Sequence, residues 1–493
     1  MATNAAKVDI GFRSERGRIL MSIMLTMGLV ALDSTIISTS VYTIAGDLGG
    51  FAQFPWLFSI YLLTQAISVP IYGKLADIFG RKPVMLLGIA LFTLGSVLCG
   101  FAWSMPALIA FRAVQGLGGG ALQPMSLTIA GDIYTATERP KAQAYLASVW
   151  AIASVIGPTV GGLFSEYLSW RWIFFINIPL CLLAAVMLIR NFEEKLVRVQ
   201  RSIDYTGAAI LAAGTTLIIL GLLSGGHEWA WGSPASLGIF AAGGILLFLF
   251  VLVERRATEP VLPLWVFTRR VLAASSLVSL LVGAIVLGLT TYIPTFAQGV
   301  LGTGAVAAGF AVATVTIGWP LVAGQAGRLY MRFGFRVTAT AGSLFVVAGA
   351  ALTLTLSIES AVWQAAIFCF VIGCGLGLVA SPTLIAAQSS VGWSERGVVT
   401  STNMFARSIG SAVGVALFGA LVNTRLGGAD NPDPAALAGA IHLVFLAALG
   451  AAVMLVLASA AMPKFAPKPG SVPGTPISAS AQDPSTPVSD RSY

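Results

Sequence analysis

Charge is the scarcest property of this chain. Asp, Glu, Lys and Arg make up 10% of its 493 residues while hydrophobic residues make up 57%, and a soluble domain gives about a quarter of its positions to charge. Water is therefore not its main solvent. Histidine is nearly absent, and His227 and His442 have no partner in sequence that would make a metal centre or an acid–base pair. The four cysteines, Cys99, Cys181, Cys369 and Cys374, lie inside apolar stretches without Cys-x-x-Cys spacing, and they read as small packing residues. No nucleophile stands beside a base and no Gly-x-x-x-x-Gly-Lys-Ser/Thr loop occurs, which argues against a membrane enzyme and against ATP as an energy source. The net charge of +8 sits in short clusters between apolar runs and forms no continuous basic face, so no nucleic-acid partner is expected. A cleavable leader is not expected either, because the first apolar run, from Ile19, is long and lacks a small-residue cleavage site.

What the chain does have is long apolar runs. A helix needs about 20 mostly apolar residues to cross the hydrocarbon of a bilayer, and that window finds fourteen candidates: 19–45, 54–72, 83–103, 106–130, 142–165, 170–189, 205–224, 234–253, 271–297, 304–326, 337–357, 361–388, 398–422 and 438–461. The seventh and eighth are separated only by 225–234. Loops on the cytoplasmic side of a membrane protein collect Lys and Arg. With the N-terminus inside, alternate loops hold Arg13, Arg16 and Arg18, then Lys74, Arg81 and Lys82, then Arg139 and Lys141, with the same pattern through Arg396. The opposite loops hold only Arg171 and Arg425. The expected fold is an all-α integral membrane protein, multi-pass in a cell inner (plasma) membrane, with both termini cytoplasmic. After Pro463 the composition turns to Pro, Ser, Thr and Ala, which buries too little apolar surface to offset the entropy of ordering.

An ionisable side chain deep in a span costs a few kcal/mol or more, and three such residues call for an explanation. Asp33 is the one carboxylate deep in a predicted span. Apolar surroundings favour its neutral form and a neighbouring guanidinium its charged form, so its charge depends on access to water. It is the candidate proton carrier, with a permanently paired, purely structural acid as the alternative. Arg112, in the fourth span, cannot deprotonate and reads either as a fixed charge that tunes a carboxylate or attracts an anion, or as a strut for helix-end carbonyls. Arg407, with no acid in its span, is expected to reach a polar boundary by snorkelling. Around Arg112 the residues Gln115, Gly116, Gly119 and Gln123 share one face; that face suits a water-filled substrate cavity, or else a small-residue helix contact joined by Gly120.

Between spans two and three stands Gly73-Lys74-Leu75-Ala76-Asp77-Ile78-Phe79-Gly80-Arg81-Lys82. Its glycines are expected to permit a tight turn, and Asp77 to face a helix N-terminus or an Arg as a releasable latch. This segment resembles the loop signature of the major facilitator superfamily. Leu32-Asp33-Ser34-Thr35-Ile36-Ile37, Arg112-Ala113-Val114-Gln115-Gly116 and Gly157-Pro158-Thr159-Val160-Gly161-Gly162 are similar to motifs of its fourteen-span drug:proton antiporters, the EmrB and QacA type. Trp170 to Pro179 and Arg407-Ser408-Ile409-Gly410 also look like that family.

The resemblance implies a major facilitator fold of two six-helix bundles, 19–189 and 271–461. A linker, 190–270, carries two additional transmembrane helices (14 in total), between a cytoplasmic segment 1–18 and a disordered tail 462–493. It implies a monomeric, proton-coupled antiporter that exports lipophilic small molecules by alternating access within the lipid bilayer, using the proton gradient and no cofactor or metal. An exporter dedicated to one native lipid, siderophore or metabolite is the other reading. Asp33 and Arg112 would couple protons. Asp33, Arg112, Gln115 and Gln123 would line the cavity. Gly73, Asp77, Gly80, Arg81, Lys82 and Asp132 would gate the inner mouth, and Gly157, Pro158, Gly161 and Gly162 would form a bend that closes one mouth. Spans nine to fourteen lack the deep acids of members that take dications. Neutral or monocationic compounds therefore suit a cavity with one carboxylate, while amphiphilic anions could use Arg112 or Arg407.

Overall fold

The computed structural model describes residues 15–134, 139–194, 204–226, 228–257, 260–392, 395–427, 429 and 432–463. The segment read as a tail from Lys464 onward, His227 and the side chain of Asp77 lie outside the described residues, while Met462, the first residue of that segment, is buried.

Among the described residues, helix is the only regular structure of any length. The order is α1 (Glu15–Ile36), α2 (Val41–Leu48), α3 (Pro55–Phe79), α4 (Arg81–Gly100), α5 (Met105–Ile133), α6 (Arg139–Tyr167), α7 (Trp172–Phe175) and α8 (Asn177–Asn191). Then come α9 (Tyr205–Ser224), α10 (Pro234–Glu254), α11 (Trp265–Thr268), α12 (Arg270–Gly299), α13 (Ala305–Phe333), α14 (Phe335–Thr353), α15 (Val362–Ser389), α16 (Arg396–Leu426) and α17 (Pro434–Ala461). In hydrocarbon every backbone polar group must be satisfied within its own segment, which long helices achieve. Side chains cap several of the starts: Ser104, Asp204, Ser233 and Asp433 each accept from a backbone N–H of the first turn, as N-cap residues do.

Among the described residues, thirteen helices are long and apolar enough to cross a membrane. The long helix outside that set is α5, of 29 residues. Arg112, Gln115, Gln123, Pro124 and a run of glycines lower its mean hydropathy, so the polarity that makes α5 interesting also weakens its signature as a span. Two predicted spans are broken. The first leaves α-geometry in a 3-10 turn over Ile37–Thr39 before α2 resumes, and the sixth is divided at Ile176 into α7 and α8.

Helices α1 and α3–α8 pack on one another, as do α12–α17. The two groups meet where α6 lies against α13 and α3 against α16. The pair α9–α10 is peripheral, with α9 seated on α3 and α16. Large apolar side chains such as Leu237, Phe248 and Leu457 are more than half exposed, which suits a surface solvated by lipid tails.

Candidate functional site

The three deep charges fall in two places. Asp33 and Arg112 meet inside the first helix group. Both side chains are only 1% exposed, with Arg112 Nη1 2.6 Å from Asp33 Oδ2. Arg112 Nη1 also donates to Gln115 Oε1 at 2.7 Å and Nε donates to the Leu57 carbonyl at 3.2 Å. The guanidinium lies over the Tyr61 ring, 4.0 Å from its centroid. On its other oxygen, Asp33 accepts from Gln115 Nε2 at 2.8 Å and Asn177 Nδ2 at 3.1 Å. Ser96 closes the network, its hydroxyl accepting from both amides. Five helices, α1, α3, α4, α5 and α8, thus contribute to one network, in which α5 and α8 bond the Asp33 carboxylate directly.

That convergence depends on glycine. A Cβ at Gly95 of α4 would lie 2.5 Å from the backbone N of Gln115, and one at Gly116 of α5 would collide with Tyr61 and Thr64 of α3. Gly119 faces Tyr61, and Gly120 faces Gln65 and Ser68. The glycine face of α5 is therefore a close helix contact, the second of its two readings. Asp33, Arg112 and Gln115 are enclosed, and only Gln123 is half-buried.

At the end of the bundle that holds most of the described Arg residues, Gly80 turns the chain with φ +96° between α3 and α4. Gly73 does not turn it: contrary to expectation it is helical within α3, with open space where a Cβ would point. The first two N–H groups of α4, those of Arg81 and Lys82, donate to the Glu194 carboxylate at 2.8 and 2.9 Å. An anion is favoured there by the helix dipole and the free N–H groups. Arg81 also pairs with Asp132, and Lys82 Nζ donates to the Ile189 and Phe192 carbonyls at the end of α8. Glu194 thus occupies the N-terminus of α4, while the side chain of Asp77, expected to face a helix N-terminus or an Arg, lies outside the described residues.

At the opposite end the two helix groups are joined. Among the described residues four hydrogen bonds cross between them, and all lie in that half of the bundle: Gln298 Nε2 to the Thr39 carbonyl, Val306 N to Glu166 Oε2, Ser59 Oγ to the Ala412 carbonyl and Asn423 Nδ2 to the Ala52 carbonyl. Gly157 and Gly161 let α6 approach Thr35, Ile36 and Thr39, Gly162 meets Ala305, and Gly309 of α13 meets the carbonyl of Pro158. Nearby, Trp170 and Arg171 both donate to Asp47 Oδ2, at 2.9 and 2.8 Å, and these bonds hold the Asp47 carboxyl below its ordinary value of 3.8.

Arg407 does not snorkel. It stands near the middle of α16, exposed, with its guanidinium 4.7 Å from the ring centroid of Trp319, the midpoint of α13. It therefore stays at mid-depth and does not reach a boundary.

Of these residues, sequence reasoning missed Asn177, Ser96, Tyr61 and Glu194. Asn177 and Ser96 do carry a signal, being polar positions in otherwise apolar helices. Uncharged polar residues are common enough in spans, though, that nothing in the sequence links them to Asp33.

Comparison with known proteins gives a consistent picture. The sequence profile of the Major Facilitator Superfamily matches residues 23–415. Multidrug transporter protein MdtP of Bacillus subtilis (strain 168) is 36% identical over 417 residues, covering 85% of this chain and 77% of its own. Multidrug resistance protein 3 of the same organism is 33% identical, covering 81% and 78%. Among solved structures, a bacterial homolog of the human lysosomal transporter Spinster, in an inward-facing and unoccupied conformation, superposes with a TM-score of 0.67. It is 17% identical and covers 92% of this chain and 98% of its own.

Proposed function

Because the chain belongs to the major facilitator superfamily, we propose that it is a proton-coupled antiporter that exports lipophilic small molecules, drugs among them, from the cytoplasm by alternating access. It is a multi-pass membrane protein and a non-enzymatic secondary transporter. The reading counts α5 as a fourteenth crossing and places the Arg-rich end and both termini in the cytoplasm, by the tendency of Lys and Arg to remain there. Efflux is supported by the names of the relatives.

Proton coupling is supported chiefly by the enclosed Asp33 carboxylate. Ionised, Asp33 is an acceptor for Arg112, Gln115 and Asn177 at once. A protonated carboxyl has to donate through one oxygen, and all three partners present N–H groups to it. Adding a proton therefore breaks at least one contact and leaves Arg112 without its counter-charge. The helices that carry those partners must then shift, which ties the proton to the position of α1 against α5 and α8. Among the described residues the hydrogen bonds between the two helix groups lie in the half bearing Glu166 and Val306, which supports reading that end as closed and the Arg-rich side as the mouth that admits substrate. On this reading a substrate enters from the cytoplasm, and protonation of Asp33 accompanies its release outside. The coupling ion is the proton and no cofactor is required.

The test is transport in proteoliposomes with an imposed pH gradient, across neutral, cationic and anionic compounds. Asp33→Asn keeps the shape of the side chain and should reduce pH-driven transport to the level of empty vesicles while the purified protein remains folded. Undiminished transport would reject the assignment.

A further inference from the structure

We infer that the central space between the two helix groups contains an anion subsite built on Arg407 and Trp319, which selects lipophilic aromatic carboxylates. This deepens the proposed export function by naming a substrate class, and it rests on that reading.

The position of the pair comes first. Helix α13 packs against α6, and α16 against α3, so both α13 and α16 border the seam between the groups. Helix α12 lies between them and contacts each. A side chain of α16 that stacks on one of α13 therefore passes in front of α12. The backbone of α12 sits directly against that of α16 here, since a Cβ at Gly283 would strike the Arg407 carbonyl. Arg407 and Trp319 also lie at similar depth. Arg407 is about 16 Å along α16 from Arg396, and Trp319 about 21 Å along α13 from either end, at 1.5 Å rise per residue. Both are near the middle of a hydrocarbon layer about 30 Å thick.

The electrostatics are unusual for that depth. Arg407 has no ion pair and donates no side-chain hydrogen bond among the described residues; its one partner is the Trp319 ring. Arg112 shows the usual solution for a deep cation, full enclosure with Asp33, Gln115 and a carbonyl. Arg407 is exposed instead. The neighbouring Asn403 cannot serve it as an acceptor, because its Oδ1 already accepts from Ser275 and Ser279. An uncompensated guanidinium at mid-depth is costly unless water or an anion reaches it. A planar guanidinium held over an aromatic ring keeps its fork of N–H donors free for a carboxylate, and the indole face and nearby apolar surface offer a seat for an aryl group. Asp33, the acid that would favour cations, is enclosed behind Arg112 and Tyr61. The deep charge available in the open space is therefore positive.

Equilibrium binding to the purified full-length protein, without any pH gradient, tests this apart from proton coupling. Dansylglycine and its methyl ester form a matched pair of fluorescent probes that differ in charge. Wild type should bind the acid saturably and more tightly than the ester. Arg407→Gln should weaken the acid at least tenfold and the ester less than twofold, Arg407→Lys should retain part of the preference for the acid, and Trp319→Ala should weaken both probes. Variants are compared at matched thermal unfolding midpoints, with Arg407→Lys as the reference should Arg407→Gln fold poorly. Equal binding of acid and ester by wild type, or equal losses for both in Arg407→Gln, would overturn the subsite. Failure of Asp33→Asn to alter pH-driven transport would overturn only the coupling scheme.

Discussion

Asp33 and Arg112 are each costly alone in a low-dielectric interior, and removing one member of a buried pair typically costs about 3–5 kcal/mol because the other charge is left uncompensated. Arg112→Leu should lower the stability of the detergent-solubilised protein by that order, and adding Asp33→Asn should recover most of the loss. Denaturant unfolding of the two single variants and the double variant measures it; additive losses would mean the residues are not coupled. Arg112→Lys is no substitute, since a lysine cannot serve Asp33, Gln115 and Leu57 from one planar group while lying over Tyr61. At this scale the sequence exposes the two charges because ionised residues stand out in an apolar run. It does not expose their uncharged partners: Asn177 lies 144 positions from Asp33, and only folding brings them together.

At the scale of the helix, glycine positions divide by what lies opposite them. Gly161 faces the backbone of Ile36 and the Thr39 hydroxyl, whereas Gly73 faces open space. Gly161→Leu should overpack the α1–α6 contact and cost about 1–3 kcal/mol, together with most of the transport activity. Gly73→Ala should be neutral or stabilising by up to about 1 kcal/mol, as expected for a helix-interior glycine with room for a methyl. Unfolding midpoints of the two variants discriminate; equal destabilisation would contradict the packing described here. Helix existence was readable from run length and Lys/Arg alternation. The interruptions at Ile37–Thr39 and Ile176 were not, since the hydroxyl residues around the first and Asn177 after the second are uncharged and are common within spans. The case of α5 is the reverse: its polar residues obscure the span in a hydropathy measure yet pinpoint the site.

For the whole molecule, the distribution of contacts between the two helix groups sets which end is open. Glu166 of α6 reaches across to Val306 at the start of α13, where a carboxylate near a helix N-terminus is worth about 0.3–1 kcal/mol. Glu166→Ala should therefore loosen that end. A cysteine placed at Ser40, buried in the same closure, should react with a membrane-impermeant maleimide about two- to fivefold faster in the Glu166→Ala background, the factor matching about 0.5–1 kcal/mol. Unchanged labelling would show that the closure does not depend on this contact.

The sequence by itself determined that the chain lives in a membrane, how its loops divide between a basic and a sparsely charged side, and that Asp33 and Arg112 carry meaning. These follow from solvation, which acts residue by residue and so leaves its mark in linear order. Tertiary structure alone decided that the α5 glycines form a contact and do not line a cavity, that Glu194 takes the place at the start of α4, and that Arg407 remains at mid-depth beside Trp319. Each depends on which helices become neighbours, and neighbours distant in sequence are chosen by shape and charge across the folded bundle.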